Sequence, residues 1–518
     1  MTRGRAGQAT RAPLVVVGDA LLDRDLDGRV ERLAPDAPVP VVDDPAERRR
    51  PGGAALAATL AALDGRAVVL VTALAADEAG SALRELLAAA GVEVVDLGLA
   101  GPTPEKTRVR VDGRSLLRLD RTTRPGKVGP PGDAARRALA GAAAVLVADY
   151  GRGLAAEPGV RAALAGLPAR VPVVWDPHPR GPAPVPGARL ATPNRAEAAR
   201  FAPEVAGDGL AAVTARARRL AERWRAAGVA VTLGPGGAIL VQGAGAPMVV
   251  PAPATTGGDP CGAGDRFAAT AATLLADGAL PSEAVAAAVA AASAFVATGG
   301  AATVQLLSGT PEPQAPFPGP FAPGGAGAPS PVPGAPGREG SPAGEDAAAA
   351  VHSPPALVPP TLAPPLDRAL GLIAAVRARG GTVVATGGCF DLLHAGHVAT
   401  LRAARALGDC LVVCLNSDDS VRRLKGPGRP LVRLADRVAV LEALGCVDVA
   451  VPFDERTPEA VLQRLRPDVF AKGGDYALAD LPEAELLATW GGQAVVLPYL
   501  EGRSTTQLMK EVVRRDNH

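Results

Sequence analysis

The chain has 518 residues, 48% of them hydrophobic but only 3% aromatic, too many for one ordinary core and enough for two or three domains built on Ala, Val and Leu. Its 54 basic and 53 acidic residues leave a net charge of +1, which argues against nucleic acid or an acidic membrane surface as partner. Five cysteines without CxxC spacing, no long uninterrupted apolar run and no signal-peptide core predict a cytoplasmic protein that does not span a membrane.

In chain order, short β-type runs alternate with Ala/Leu-rich helical stretches. Strands are predicted at 14–18, 67–74, 144–150, 171–176 and 229–234, and helices at 54–63, 78–91 and 281–297. Residues 308–365 are dominated by Pro, Gly, Ala and Ser and read as a disordered linker, because they offer almost nothing to bury. Beyond it, strands are predicted at 382–387, 409–416, 447–453 and 494–499, with helices between. Solidly apolar strands alternating with helices predict an α/β protein of two doubly wound domains, over 12–307 and 366–518. Ligands of such sheets bind beyond the carboxyl ends of the strands, where the polar motifs fall.

The first half carries four such motifs. Pro51-Gly52-Gly53-Ala54-Ala55 opens an early helix, Asn194-x-x-Glu197 follows a strand, and Thr232-Leu-Gly234-Pro-Gly236-Gly237 ends another. Gly262-Ala263-Gly264-Asp265 then leads straight into a helix. Small residues there let the backbone approach an anion, helix N-terminal amides form an anion hole, and a carboxylate so placed can take a proton from an attacking hydroxyl. Taken alone, the same four residues would also serve as a turn and an N-cap.

The second half holds TGGCFDLLHAGHV at 386–398, with His394 and His397 three apart at an expected helix start. Both rings then point one way, beside the free N–H groups and dipole of the helix, and suit phosphate oxygens. A surface pair or a zinc pair would be the alternatives, although zinc would need further ligands nearby. Lys425 and Lys472 stand in Lys-Gly contexts in a chain whose basic residues are nearly all Arg, so they either present a compact charge to a triphosphate or are surface lysines. Ser504, Thr505 and Thr506 read equally as phosphate binders or as an ordinary N-cap.

In this order the first-half motifs resemble the ribokinase/PfkB sugar kinases, and HxGH resembles the cytidylyltransferase-like nucleotidyltransferases. Together with residues 15–42, 105–120, DYGRG (149–153) and KGGDY (472–476), the chain is similar to the bifunctional D-glycero-β-D-manno-heptose 7-phosphate kinase / heptose 1-phosphate adenylyltransferase family. The resemblance implies a ribokinase-like domain followed by a Rossmann-like nucleotidyltransferase domain. It implies Asp265 as kinase base, with Gly262, Ala263 and Gly264 as anion hole. Asp19, Asp23, Gly52, Gly53, Lys106, Arg108 and Asp149 would hold the sugar phosphate, with Arg118 and Asp120 closing over it. Asn194, Glu197, Thr232, Gly234 and Gly237 would contact the first nucleotide. Gly388, Phe390, Asp391, Lys472, Gly473, Asp475, Ser504, Thr505 and Thr506 would contact the second, with His394, His397 and Lys425 catalytic. ATP and Mg²⁺ are implied for both sites, the metal held mainly through phosphates with Glu197 and Asp259 as candidate contacts, and a homodimer is expected. Leu56, Cys261, Arg266 and His178 depart from the family's usual Asn, Thr, Thr and Lys. They open an alternative in which the kinase domain is a degenerate sugar-phosphate sensor beside an active transferase for another sugar or nucleotide.

Overall fold

The computed structural model describes residues 12–111, 114–121, 126–253, 257–304, 306, 364–474 and 481–498. The first half opens with β1 (Leu14–Gly18), β2 (Ala20–Leu33), β3 (Pro40–Gly53), α1 (Ala54–Leu63), β4 (Val68–Thr72), α2 (Glu78–Ala89), β5 (Glu93–Asp96) and β6 (Leu99–Ala100). It continues through β7 (Glu105–Val111), β8 (Arg114–Arg121), β9 (Lys127–Val128), α3 (Asp133–Ala140), β10 (Ala144–Ala148), α4 (Pro158–Ala165), β11 (Val173–Asp176) and β12 (Leu190–Ala191). It ends with α5 (Arg195–Phe201), α6 (Leu210–Trp224), β13 (Gly228–Thr232), β14 (Ala238–Gln242), β15 (Met248–Val250), α7 (Ala263–Ala276) and α8 (Pro281–Ala297). The second half begins with α9 (Pro365–Ala378), β16 (Val383–Gly388), α10 (Ala395–Arg405), β17 (Cys410–Asn416), α11 (Asp418–Lys425) and α12 (Leu434–Glu442). It closes with β18 (Val449–Phe453), α13 (Glu459–Leu465), β19 (Val469–Gly473), α14 (Glu483–Ala488) and β20 (Gln493–Leu497).

Strands such as β1 (LVVVG) and β10 (AVLVA) are buried at every position, the pattern of a sheet covered on both faces. On one face α1, α2, α7 and α8 close over it, and on the other α3 and α4. Alanine at most contact positions lets these helices sit close, so a core with few aromatics is still filled. In the first half β10, β1, β4 and β5 follow one another in the sheet, so the order reverses on either side of β1. The second half runs β18-β17-β16-β19-β20, reversing around β16. Both reversals create the crevice at strand carboxyl ends where open α/β sheets bind ligands.

Two features lie outside the apolar pattern. Strands β3-β2-β7-β8 form a separate four-stranded sheet of heavily charged sequence, projecting from the carboxyl end of β1. The two halves are also joined edge to edge. β15 pairs in parallel with β20 at Met248–Val496, and the Val496 amide donates to the Pro247 carbonyl at 3.1 Å. Gln493 Nε2 adds a hydrogen bond to Thr214 Oγ1 at 2.8 Å. The main sheet thus runs through 14 strands. Among the described residues no helix is long and apolar enough to cross a membrane.

One buried cation holds the second half's strand ends together. Arg437 on α12 is 1% exposed and donates to the carbonyls of Cys389, Asn416 and Val432 and to the Asp418 carboxylate. It therefore ties the ends of β16 and β17 to α11 and α12. Arg437→Met removes the charge but keeps an apolar side chain of similar reach, leaving several carbonyls without donors. It should cost about 3 kcal/mol of stability, read as a lowered urea midpoint for the full chain.

Candidate active sites

The first site grows from the carboxyl ends of β1 and β10. Asp19, just past β1, buries its carboxyl and accepts backbone N–H bonds from Tyr150 (3.1 Å), Arg152 (3.0 Å) and Leu154 (3.1 Å). Burial nonetheless raises its pKa, against the pull of those amides. The Asp19 carbonyl also takes the Ala54 amide at 3.2 Å, so one residue anchors both the 150–154 loop and the start of α1. Gly53 precedes that start with φ of 61°, and a Cβ there would meet the Asp19 carbonyl oxygen at 2.6 Å. Next to this loop, burial pushes the Asp149 carboxyl up to about 7. Its Oδ1 takes the Gly151 amide at 2.7 Å, whereas its buried Oδ2 has no hydrogen-bond partner.

Facing these is the start of α7. Gly262 caps it with φ of 80°, and Ala263, Gly264 and Asp265 form its first turn. Asp265 is buried, and Tyr150 Oη donates to its Oδ1 at 2.6 Å. Burial raises the Asp265 pKa to about 7, while Tyr150's hydrogen bond and Lys106's charge hold it down. From the charged sheet, Asp23, Lys106 and Arg108 reach the same place. Asp23 is bound by Arg50 Nη1 (3.0 Å) and Arg108 Nη1 (2.9 Å), and Lys106 Nζ sits 5.4 Å from the centre of the Tyr150 ring. Gly52 lies against Asp23, where a Cβ would meet its Oδ2 at 2.6 Å. Arg118 and Asp120 on β8 bond each other at 2.8 Å, and Asp120 lies opposite Lys106 in register.

The nucleotide candidates of this half cluster further along the same edge. Asn194 and Glu197 form a reciprocal capping box at the start of α5, at 2.8 and 2.9 Å, and Asn194 bridges to Thr232. Thr232 ends β13, and Gly234 and Gly237 follow with positive φ. Burial lifts the Glu197 pKa, and the half-buried Asp176 is raised by burial and then by Glu197's charge. Asp259 is spent in part on the Cys261 amide, at 2.9 Å.

The departures from the family pattern now have positions. Arg266 forms a 2.7 Å ion pair with Asp64 at the end of α1. Leu56, Leu60, Phe295 and Ala301, with Cys261 against them, make a small apolar cluster beneath Gly262. Cys261 Sγ lies 3.5 Å from Arg108 Nη2. His178 packs on the Asp19-held loop, close enough that a Cβ on Gly151 would meet its Nδ1 at 2.5 Å.

The second site is at the carboxyl end of β16. His394 is the N-cap of α10 and His397 lies in its first turn, and the two rings stack at 3.9 Å. Burial, then His394's charge, then Lys425's charge push the His397 pKa down to about 4. Lys425 stands in the last turn of α11. Phe390, at φ of 45°, brings its ring to 5.3 Å from that of His397 and covers Gly388. Asp391 is buried and receives the amides of Leu431 (2.7 Å) and Val432 (3.0 Å) and the Arg429 guanidinium (2.5 Å), which hold the 429–432 segment against the turn after β16. Lys472 and Gly473 end β19, with Lys472 Nζ 3.4 Å from the buried Glu483. Asp475, Ser504, Thr505, Thr506 and nearly all of the expected linker (308–363) lie outside the described residues.

Three residues at these sites were not singled out from sequence: Arg50, buried between Asp23 and Asp25; Tyr150; and Arg437. Tyr150 and Arg50 had adjacent signals, since Tyr150 sits inside the DYGRG stretch and Arg50 directly precedes the Pro51-Gly52-Gly53 motif.

Comparison with known proteins agrees with this division. Residues 134–306 match the pfkB family of carbohydrate kinases and residues 385–497 match the cytidylyltransferase-like family. A Streptomyces coelicolor protein named "Bifunctional protein HldE" is 56% identical over 98% of this chain and 98% of its own length. Its namesake from Azorhizobium caulinodans is 38% identical, over 96% of this chain and 98% of its own. Among solved structures, Arabidopsis thaliana ribokinase complexed with ribose and ATP is 23% identical, covers 56% of this chain and 95% of its own, and gives a TM-score of 0.45. With a carbohydrate-kinase unit in its first half, a cytidylyltransferase-like unit in its second, and full-length likeness to these relatives, the chain belongs to the HldE family of bifunctional proteins.

Proposed function

We propose that the first domain phosphorylates a heptose 7-phosphate at O1 with ATP, and that the second joins a heptose 1-phosphate to AMP from ATP, giving ADP-heptose and pyrophosphate. The observation that carries the kinase half is Asp265, a buried carboxyl in the first turn of α7, beside the amides of Ala263 and Gly264 and across from the charged sheet. The acceptor hydroxyl gives its proton to Asp265 as its oxygen bonds the γ-phosphorus and the bond to ADP breaks. The helix N-terminus stabilises the charge spread over the transferred phosphoryl oxygens. Lys106, Arg108 and Asp23 supply charge and hydrogen bonds for the sugar phosphate, and Asp265's retained carboxylate argues against a sensor role.

In the second domain an oxygen of the sugar 1-phosphate attacks the α-phosphorus and pyrophosphate leaves. His394, His397 and Lys425 face the position where charge develops, and neutral histidines close together become better cation formers once a polyphosphate lies beside them. Mg²⁺ neutralises phosphate charge in enzymes of this chemistry. The donor set suits it, because Glu197 is half-buried and its charge opposes ionisation of Asp176, a repulsion that a cation would relieve. Glu197 would help hold the ion, with Asp259 a second candidate, mostly through the nucleotide phosphates. In this reading the domains span 12–307 and 366–518 and residues 308–365 link them. We also place the enzyme in the cytoplasm as a homodimer, for which the exposed Leu116, Leu117 and Leu119 of β8 offer apolar surface.

Two outcomes test the halves separately. His394→Ala or His397→Ala should lower nucleotidyl transfer about 10²–10³-fold, as loss of one preorganised charge-stabilising group does, with sugar phosphorylation unchanged. Zinc loss and unfolding in either variant would contradict the phosphate role. Asp265→Asn should reduce phosphorylation of heptose 7-phosphate about 10²-fold or more, with ATP binding and nucleotidyl transfer kept.

The acid limb of the kinase rate should also report this carboxyl. Asp265 is protonated, and so useless as a base, below its raised pKa, so kcat/KM for the sugar phosphate should fall as pH drops through about 7. A limb near the ordinary carboxylate range would speak against Asp265 as the base.

A further inference from the structure

Tyr150 stands at the meeting point of three elements that the kinase reaction needs. Its hydroxyl donates to Asp265 Oδ1 at 2.6 Å, its ring underlies Lys106 Nζ at 5.4 Å, and its amide is fixed on Asp19 Oδ2 at 3.1 Å. The phenol keeps its proton, because burial and then Asp265's negative charge both oppose ionisation. It is therefore a donor only toward Asp265, and it does not compete for the substrate proton.

A carboxylate has two oxygens, and as a general base it must turn a free one toward the acceptor hydroxyl. With Oδ1 occupied by Tyr150, the oxygen left to take the proton is Oδ2. The same ring gives Lys106 a cation–π seat, so the residue that fixes the base also fixes a cation at the sugar-phosphate end of the cleft. We propose that Tyr150 is a positioning residue of the kinase reaction, orienting the Asp265 carboxylate through its hydroxyl and seating Lys106 on its ring.

This rests on the reading of Asp265 as the kinase base. The charged and titratable groups facing Asp265 are Tyr150 from the loop after β10, Lys106 from β7, Asp23 from β2 and Asp176 from β11. Of these, Tyr150 and Lys106 stabilise the carboxylate, and Asp23 opposes its ionisation. Asp176 likewise opposes it through mutual repulsion.

Tyr150→Phe keeps the ring, and with it the Lys106 seat, while deleting the hydroxyl. In the full-length enzyme it should lower kcat for sugar phosphorylation about 10–100-fold, the range for losing one hydrogen bond to a charged group. The acid limb should move to higher pH, because the carboxylate loses a stabilising donor, and KM for ATP should stay near wild type. An unchanged urea midpoint of the full chain serves as the control for folding, and nucleotidyl transfer should not change. Tyr150→Leu should add a rise in KM for the sugar phosphate, as Lys106 loses its seat.

The Asp265 carboxyl can also be followed directly by carbon NMR of aspartate-labelled full chain, with Asp265→Asn identifying its signal. An upward shift of that titration in Tyr150→Phe is the expected result whether or not Asp265 proves to be the base. If Asp265→Asn retains activity, the base assignment fails on its own. If Tyr150→Phe leaves kcat, the acid limb and the Asp265 titration at wild-type values, the positioning role is refuted.

Discussion

The kinase half is organised by where Asp19 puts its oxygens. Its carboxylate draws the amides of Tyr150, Arg152 and Leu154 into one tight loop, and its carbonyl receives the first amide of α1. Three amides on one buried carboxylate offset part of its desolvation, and the loop has no comparable partner without it. Tyr150 is placed by this loop, and Asp265 is held by Tyr150. The proposed base is thus linked to Asp19 through Tyr150. Asp19, expected from the resemblance to contact the sugar phosphate, also accepts backbone amides on both of its carboxylate oxygens.

The second half solves the same problem with the opposite charge. There two strand ends present carbonyls, Cys389 and Asn416, and a buried guanidinium, Arg437, collects both along with the Val432 carbonyl and Asp418. Cys389 O among them lies just after β16 and five residues before His394, so the strut fixes the turn that presents the histidine pair. Asp391, in the same turn, binds the 429–432 segment. In both halves a charged side chain bound to backbone groups ties down the segment before a candidate-site helix, a way of preorganising a site.

The doubly wound architecture was legible because parallel strands covered on both faces must be apolar at every position, as β1 and β10 are. Helices 54–63 and 281–297 coincide with α1 and α8 because alanine-rich runs between strands have no other stable state. The charged sheet β3-β2-β7-β8 escaped notice for the complementary reason. Its strands exchange ion pairs, such as Arg50 with Asp23 and Asp25, in place of apolar alternation, so period-two hydrophobicity is missing. HxGH and GAGD could be found because a helix start imposes local spacing. Tyr150 and Arg437 could not, since their partners lie 115 and 48 residues away in sequence. Arg266 looked like a lost site residue, whereas its guanidinium is committed to Asp64.

The seam between β15 and β20 decides how the two activities relate. β15 is antiparallel to β14, which is antiparallel to β13, so β15 runs with the parallel strands of the first half, and β20 runs with it. The strands that carry the two sites, β1 and β16, accordingly point the same way along the ladder. They are nine strand steps apart in the sheet order, third and twelfth from the β18 end. At about 4.8 Å per step this separates them by about 43 Å. A twist of about 20–25° per step turns one strand's direction through roughly half a circle relative to the other. Sites so far apart and so differently aimed cannot pass a product directly, and substitutions at one should leave the other untouched. In the proposed reactions the first product carries a 7-phosphate that the second substrate lacks, so a dephosphorylation falls between the two steps, and separate sites are compatible with that order.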